Sequence, residues 1–412
     1  MKAEEKIEEI NFVPDSWRPK KNLIKVVGVG GGGVNAVSQM YINGIKDVDF
    51  LICNTDHQSL EQSPVPEKLQ LGEGLGAGFD PEIARNLAIN DSDEIRRRLN
   101  DNTKMVFITA GMGGGTGTGA SPVIAKISQE LGILTIGVVT QPFKDEDAEF
   151  QRRAYEGIKE LEKNVDSLLI IDNQKLYEIY GNLSVLEAFP KADEVLNTAI
   201  KGIAEIITGK GYINVDLADV RRIMKDSGMA IMGSGAATGE NRARNAVEKA
   251  FTSPLLKDYS MKSAKNVLVN ITSSKENALL MSEMEEILNH IREYTGNAFN
   301  FKRGVAFDDK MKAGEIRVTV VATGITVNIT PPAAFTKEKD FGSEIDLDPD
   351  NIFEKENLPA DNIELSIKLA PFDFRTATIY KSGMNITDFE NETALERRSR
   401  KEEELKKQQT EQ

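Results

Sequence analysis

Two glycine-rich segments carry the clearest chemical signal in this sequence. The first, GVGGGG at residues 28–33, and the second, GMGGGTGTG at residues 111–119, each follow an apolar run. Glycine has no side chain, so its backbone amides can approach a phosphate closely, and a following helix presents its positive end. The first loop alone would also fit a tight turn, or a dinucleotide site with Asp56 as the ribose-binding acid. Two such loops together predict a site for a polyphosphate.

The second loop narrows the class of site. Its hydroxyls, Thr116 and Thr118, add neutral hydrogen-bond donors beside the glycines. A dinucleotide-dependent oxidoreductase has no need of a second glycine loop, and the sequence offers no plausible catalytic histidine in its later half. No Lys-Ser or Lys-Thr pair follows the glycines, which excludes a Walker P-loop. Backbone amides and a bound cation must therefore balance most of the phosphate charge.

An acidic segment, NVDLAD at residues 214–219, is the other candidate for chemistry. If Asp216 begins a helix, Asp219 lies on the same helix face, and the two carboxylates could orient a water molecule or a cation. The alternative interpretation is ordinary helix capping by Asp216, with Asp219 in solvent.

Buried strands must position the glycine loops. Five apolar segments predict such strands: LIKVVGV, VDFLICNTD, KMVFITAG, LTIGVVT and DSLLIID. Helix-like stretches between several of them predict an α/β fold with a doubly wound parallel sheet, whose ligand lies at the carboxyl ends of the strands. We expect this nucleotide-binding domain to span residues 23–189.

The rest of the chain divides into a long helix, a smaller domain and a tail. Apolar spacing predicts the helix over residues 191–207, opened by Pro190, within a connecting segment at 190–211. The segments DLADVRRIMKD, KNVLVNI, MSEMEEILNHIREY and EIRVTVVAT predict a second α/β domain over 212–324. We expect residues 1–22 to form a flexible arm and residues 325–412 to be mostly disordered, with IELSIKLAPF as an isolated possible strand.

Composition limits the partners and the compartment. The net charge of −14 opposes nonspecific attraction to nucleic acid or to an anionic lipid surface. No apolar run approaches the roughly 18 residues of a membrane span, and the first ten residues lack the apolar core of a signal peptide. Cys53 is the only cysteine, so an intramolecular disulfide is impossible. We expect a cytoplasmic protein that neither binds nucleic acid nor inserts into a membrane.

The second loop also carries a family resemblance. GGGTGTG between a strand and a helix is the signature of the tubulin and FtsZ superfamily, and the chain resembles its bacterial branch from about Leu23 to about Gly324. The resemblance implies an assembly-dependent GTPase that binds GTP or GDP, with Mg²⁺ held mainly by the phosphates. It implies head-to-tail filaments that scaffold the division ring at mid-cell. Division proteins and membrane tethers would bind the C-terminal tail.

The resemblance also assigns residues. The acidic segment would enter the nucleotide site of the neighbouring subunit, which makes Asp216, Asp219 and Asn214 catalytic. Phe189 would stack on the purine, and Asp193 would accept from guanine N1–H and the exocyclic amine, a pair of donors that adenine lacks. The expected nucleotide contacts are Gly30, Gly31, Gly32 and Asn35 in the first loop, Gly76, Ala77 and Gly78 in a third loop over the terminal phosphate, Gly111, Gly113, Gly114, Gly115, Thr116, Gly117 and Thr118 in the second loop, Thr140 on the phosphate side, Glu146 at the ribose, and Asn173, Phe189 and Asp193 at the base.

Two positions depart from the family pattern. Gln39 stands where the family often has an arginine, and Phe150 replaces an arginine associated with the nucleotide. Losing two cations should weaken binding or slow turnover, unless Arg152 or Arg153 reaches in from the next turn. This leaves a second hypothesis, a tubulin-like nucleotide-binding structural or regulatory protein with little GTPase activity.

Overall fold

A computed structural model describes residues 22–175, 184–209, 211–252, 261–296, 298–308 and 310–325. The predicted N-terminal arm up to residue 21, and the tail from residue 326 with IELSIKLAPF, lie outside the described residues. Within 185–193 the backbone is helical, but the side chains are also outside that description.

In the described part of the chain, eleven strands form one sheet and are numbered in chain order. The first six run parallel to one another: β1 (Ile24–Val29), β2 (Asp49–Asn54), β3 (Lys68–Gln70), β4 (Met105–Gly111), β5 (Leu134–Gln141) and β6 (Ser167–Asp172). Every residue of β1 is buried, as expected for a strand with helices on both faces of its sheet. The predicted parallel sheet is confirmed.

Helices alternate with these strands. They are α1 (Gly30–Ile42), α2 (His57–Gln62), α3 (Pro81–Asn90), α4 (Ser92–Leu99), α5 (Gly115–Glu130) and α6 (Ala148–Glu162). The helices α1 and α5 begin inside the two glycine loops, directly beyond the ends of β1 and β4. The first turns of both helices therefore lie at the carboxyl edge of the sheet.

The long helix, α7 (Val185–Thr208), begins earlier than predicted. Pro190 lies in its second turn and does not open it. Proline has no backbone N–H group, so in the second turn it removes one helical hydrogen bond. Proline is favoured in the first turn of a helix but is not confined to it, so its position did not predict where α7 begins. Further along, α7 buries Leu196, Ala199 and Ile203 in a core that includes residues of both halves, such as Val26 and Leu268.

The second half contains the elements that its sequence predicted, with additional strands between them. They are β7 (Gly211–Ile213), α8 (Leu217–Met224), β8 (Gly228–Ala237), α9 (Arg242–Phe251), β9 (Asn266–Ser273), α10 (Met281–Thr295), β10 (Asn300–Phe307) and β11 (Ile316–Thr323). The order of strands across the sheet is β3-β2-β1-β4-β5-β6-β8-β11-β9-β10-β7. Strand β11 is antiparallel to β8 and β9, while β8 pairs in parallel with β6. The two predicted domains are thus joined through backbone pairing as well as through α7.

Two further expectations concern the single cysteine and a possible membrane span. Cys53 is buried in β2, and burial raises the pKa of its thiol to about 12, so the thiol is protonated near neutral pH and acts as a packing group. None of the described helices is both long and apolar enough to cross a bilayer.

Candidate functional site

An open cleft of about 880 Å³ lies at the carboxyl ends of β1, β4 and β5. Three loops that are distant in sequence meet there. The predicted nucleotide contacts that line it are Gly31, Gly32, Asn35, Gly76, Ala77, Gly78, Gly111, Gly114, Gly115, Thr116, Gly117, Thr140, Glu146 and Asn173. The cleft is at the edge of the sheet where the sequence predicted a ligand.

The two glycine loops touch through their backbones. A Cβ atom at Gly30 would lie 2.7 Å from the amide nitrogen of Gly117, and a Cβ atom at Gly117 would lie 2.5 Å from the carbonyl oxygen of Gly111. Gly30 also has a φ angle of +70°, which favours glycine. A side chain at Gly30 would push the two loops apart, and one at Gly117 would distort the second loop itself.

Gly31 and Gly114 face the opposite way, into open space. A Cβ atom at either residue would meet nothing within 4 Å. Gly31 lies in the first turn of α1, and Gly114 is the N-cap of α5, so both belong to helix ends whose amides lack helical partners. Two helix ends thus point their amides at one volume, which suits a polyphosphate.

Three of the predicted contacts lie behind the lining. The amide of Gly113 donates a 2.9 Å hydrogen bond to Oγ1 of Thr118, whose side chain is only 4% exposed. A Cβ atom at Gly113 would overlap the ring of Phe150, and Gly30 is packed against the second loop. Gly30, Gly113 and Thr118 therefore fix the shape of the loops, and Thr116 is the hydroxyl that faces the cleft.

Part of the cleft lining consists of residues for which the sequence predicted no nucleotide contact. Oγ1 of Thr55, just after β2, lies 2.7 Å from Oγ1 of Thr116 and ties the second strand to the second loop. The signal was available, because Thr55 follows a parallel strand whose neighbour carries the first loop. The other lining residues that were not assigned are Asn54, Asp56, Ser59, Leu75, Phe79, Met112, Pro142, Phe143, Phe150 and Leu196.

Asn173, one of the residues expected to contact the base, lines the cleft. Oδ1 of Asn173 is buried and makes no hydrogen bond within the described structure. A buried acceptor without a donor costs about 1–3 kcal/mol, so the site fits a ligand that supplies an N–H group there. Leu196 of α7 also lines the cleft. Asp193 lies one turn earlier on the same helix, but the side chains of Phe189 and Asp193 are outside the described residues.

The structure also shows where Gln39 lies and which of Arg152 and Arg153 approaches the cleft. Gln39 is exposed, and its amide lies 3.4 Å from Oδ1 of Asn43 on the outer side of α1. Arg152 is held outside by Glu149 and Glu156, and these hydrogen bonds raise its pKa. Arg153 instead donates to the carbonyl oxygen of Phe79, next to the third loop. Of the two arginines, Arg153 is the one that reaches toward the cleft.

The acidic loop is fixed by its own hydrogen bonds. Oδ1 of Asp216 accepts from the Asp219 amide at 2.7 Å and caps α8, as the alternative interpretation expected. Asp219 is not simply solvated, because its Oδ1 lies 2.6 Å from Nζ of Lys302. Oδ1 of Asn214 accepts from the Gly211 amide at 2.9 Å. Each side chain therefore has a defined orientation while Asp216 stays exposed.

This loop lies at the opposite end of the sheet from the cleft. Arg221 of α8 donates to the carbonyl oxygens of Lys104 at 3.3 Å and Gly132 at 3.2 Å, which precede β4 and β5. The cleft lies beyond the other ends of those strands. Strand β4 has seven residues and so separates the two ends by about 20 Å. The acidic loop cannot reach the cleft of its own chain.

Parallel strands that end in paired glycine loops, without a Walker lysine, place this fold and site in the tubulin-like class of GTPases. Residues 23–181 match the GTPase domain of the Tubulin/FtsZ family, and residues 228–326 match the C-terminal domain of the FtsZ family. The chain belongs to the FtsZ family.

Individual relatives support this family assignment. The chain is 48% identical over 314 residues to the cell division protein FtsZ of Wigglesworthia glossinidia brevipalpis, covering 75% of this chain and 81% of the relative. It is 46% identical over 315 residues to the cell division protein FtsZ of Pseudomonas aeruginosa, covering 75% and 79%. Among solved structures, an empty FtsZ dimer of M. jannaschii has a TM-score of 0.68 and 38% identity, covering 75% of this chain and 90% of that one.

The chain is therefore a GTPase of the cell-division cytoskeleton that binds GTP and GDP and assembles with itself into filaments. The alternative interpretation of the chain as a dinucleotide-dependent oxidoreductase is excluded. The hypothesis of a tubulin-like protein with little GTPase activity gains no support from these relatives.

The glycine geometry predicts a pair of contrasting variants. Gly31→Ala places a methyl group in the open cleft, so we expect GDP affinity to fall about tenfold or more with little change in Tm. Gly119→Ala is the matched control, because its Cβ atom would overlap the carbonyl oxygen of Pro81 in the packed interior. We expect that variant to lower the Tm by several degrees. Calorimetric titration with GDP and thermal melts measure both. Unchanged nucleotide affinity in Gly31→Ala would contradict this view of the cleft.

Proposed function

We propose that each active site forms between two copies of the chain, the cleft of one copy being completed by the acidic loop of the next. The separation of cleft and acidic loop carries this proposal. They lie about 20 Å apart at opposite ends of the strands, so a second copy stacked along the strand direction brings a loop to each cleft.

Apolar side chains at both ends support such stacking. Leu75 and Phe79, beside the cleft, are 89% and 68% exposed, and Tyr212, beside the acidic loop, is 87% exposed. A contact between two different surfaces is heterologous, so its repetition gives an open filament. The exposed apolar groups lose contact with water when such a filament forms.

The phosphates bind through amides and a cation. Side chains of the described cleft lining include no lysine or arginine, and no cluster of three metal-binding residues occurs in the described structure. Mg²⁺ would accordingly be held mainly by phosphate oxygens, with the hydroxyls of Thr55 and Thr116 as the nearby protein oxygens. When bound, Mg²⁺ neutralises phosphate charge. Gly31 and Gly114 bring the helix-end amides to the same phosphates.

Hydrolysis then depends mainly on positioning. A water molecule attacks the terminal phosphorus, the bond to the β-phosphate oxygen breaks, and GDP and phosphate are the products. Asp216 and Asp219 of the neighbouring copy orient that water, and Asn214 holds the preceding turn. The cap on Asp216 and the ion pair of Asp219 with Lys302 fix both carboxylates before assembly, which lowers the entropic cost of placing the water.

Guanine is read at the α7 end of the cleft. Asn173 provides the unpaired Oδ1 for a donor on the base. Phe189 stacks on the purine, and Asp193 accepts from N1–H and the exocyclic amine. Glu146 contacts the ribose and Thr140 lies on the phosphate side. We further propose a cytoplasmic protein at the mid-cell division site, whose C-terminal tail binds division proteins and membrane tethers.

Asp216→Ala should separate binding from catalysis. We expect GTP turnover to fall at least about 10²-fold because the water loses an orienting group, while GTP affinity and GTP-dependent sedimentation persist. Phosphate release over a series of protein concentrations measures turnover, and wild-type activity per molecule should rise with concentration.

Glu248→Ala is the control for this variant. It removes an exposed carboxylate of α9, away from the acidic loop, and should leave turnover unchanged. Concentration-independent turnover in the wild type would contradict catalysis at an interface.

Asn173→Ala should weaken GTP and GDP binding equally, by about tenfold, because both nucleotides present the same base. Asn197→Ala is the matched control. Its Oδ1 is also buried and unpaired within the described structure, but Asn197 does not line the cleft. Fluorescence titration with labelled nucleotides measures the affinities, and equal losses in the two variants would contradict a base contact at Asn173.

A further inference from the structure

The first two turns of α6 contact the second and third loops of the cleft. Oδ1 of Asp147 accepts from the Phe150 amide at 2.7 Å and caps the helix. This cap orients Phe150, whose ring packs on the backbone of Gly113 in the second loop. Arg153 lies one turn further on the same face, against the third loop. The helix start thus links the two loops.

Arg153 is held in place by several contacts. Its guanidinium donates to the carbonyl oxygen of Phe79 and lies 5.7 Å from the centre of the Phe150 ring. Its Nε donates to the carbonyl oxygen of Glu149 at 3.3 Å, and its side chain is only 18% exposed. Arg152, its neighbour, makes its ion pairs with Glu149 and Glu156 on the exposed side of the helix.

The third loop needs such an anchor. Gly76, Gly78 and Phe79 have φ angles of +84°, +57° and +62°, and Phe79 is the one that carries a side chain. A bulky residue in the left-handed region is strained, so other contacts must hold it there. The exposed Phe79 ring contributes little packing to this end of the loop.

The other end of the loop is tied separately. The amide of Gly76 donates to the carbonyl oxygen of Thr55 at 2.8 Å. With Arg153 on the Phe79 carbonyl, the loop is fixed on both sides of Ala77 and Gly78, which line the cleft.

We propose that Arg153 is a positioning residue that holds the third loop in the shape that contacts the terminal phosphate, so that the site favours GTP over GDP. This inference rests on the placement of residues 76–78 over that phosphate, which the family resemblance implies. Arg153 acts through the loop backbone, to which its guanidinium donates at the carbonyl oxygen of Phe79.

The test compares affinities for GDP and for a non-hydrolysable GTP analogue in Arg153→Ala, Arg153→Lys and Arg152→Ala. Fluorescent derivatives of both nucleotides are titrated at protein concentrations below those that sediment. We expect Arg153→Ala to weaken the analogue about tenfold with little change for GDP, because GDP lacks the phosphate under the third loop. Arg153→Lys keeps the charge and a donor but not the planar guanidinium. We expect it to weaken the analogue less than Arg153→Ala does, again with little change for GDP. Arg152→Ala should bind both nucleotides as the wild type does.

Equal weakening of both nucleotides in Arg153→Ala, or no weakening of either, would overturn the inference. If Arg153→Ala does not fold, as judged by circular dichroism, an unchanged affinity ratio in Arg153→Lys overturns it instead. A wild type that binds both nucleotides equally would also contradict it. None of these outcomes bears on interface catalysis, which the concentration dependence of turnover tests separately.

Discussion

The parallel strands of this protein impose a direction on its chemistry. All of β1, β4 and β5 end at the cleft, where two helix N-termini meet. In contrast, α8, which follows the acidic loop, is hydrogen-bonded through Arg221 to the segments that precede β4 and β5. A strand of seven residues cannot be shortened to bring these groups together. Under the proposed function, phosphate binding and water orientation belong to opposite surfaces of one chain, and hydrolysis therefore requires assembly.

Within the cleft, the constraint is the closeness of two backbones. A Cβ atom at Gly30 would overlap the backbone of Gly117 in the other loop, while Gly31 and Gly114 turn their bare faces outward. The same residue type thus serves packing on one side and ligand approach on the other. In the proposed site, this arrangement compensates for the absence of a lysine from the described cleft lining, because amides in fixed positions need no reorganisation when charge develops in the transition state.

Much of this arrangement was predictable from sequence. Alternating apolar segments predicted the parallel sheet, and strand-to-helix glycine loops predicted where its ligand lies. Periodicity could not predict which loop residues face the cleft, since the inward position of Thr118 depends on a hydrogen bond within the loop. The start of α7 at Val185 was missed because Pro190 was given the role of a first-turn proline.

Contacts between side chains that are distant in the sequence also could not be predicted. Nothing local distinguishes Arg153 from Arg152, and only the approach of α6 to the third loop selects Arg153. Likewise, Lys302 lies on β10 and meets Asp219 only because β7 and β10 pair beside the acidic loop. Such contacts depend on the tertiary fold, and they decide which of two similar side chains takes part in the site.

The most direct test of shared active sites is complementation between two defective variants. Gly31→Ala carries an intact acidic loop but an obstructed cleft, and Asp216→Ala carries an intact cleft but a defective loop. GTP turnover is measured for each variant alone and for mixtures at constant Asp216→Ala concentration with increasing Gly31→Ala. If neighbours complete each other's sites, turnover in the mixture rises well above the sum of the two and saturates. If each chain catalyses alone, the mixture never exceeds that sum.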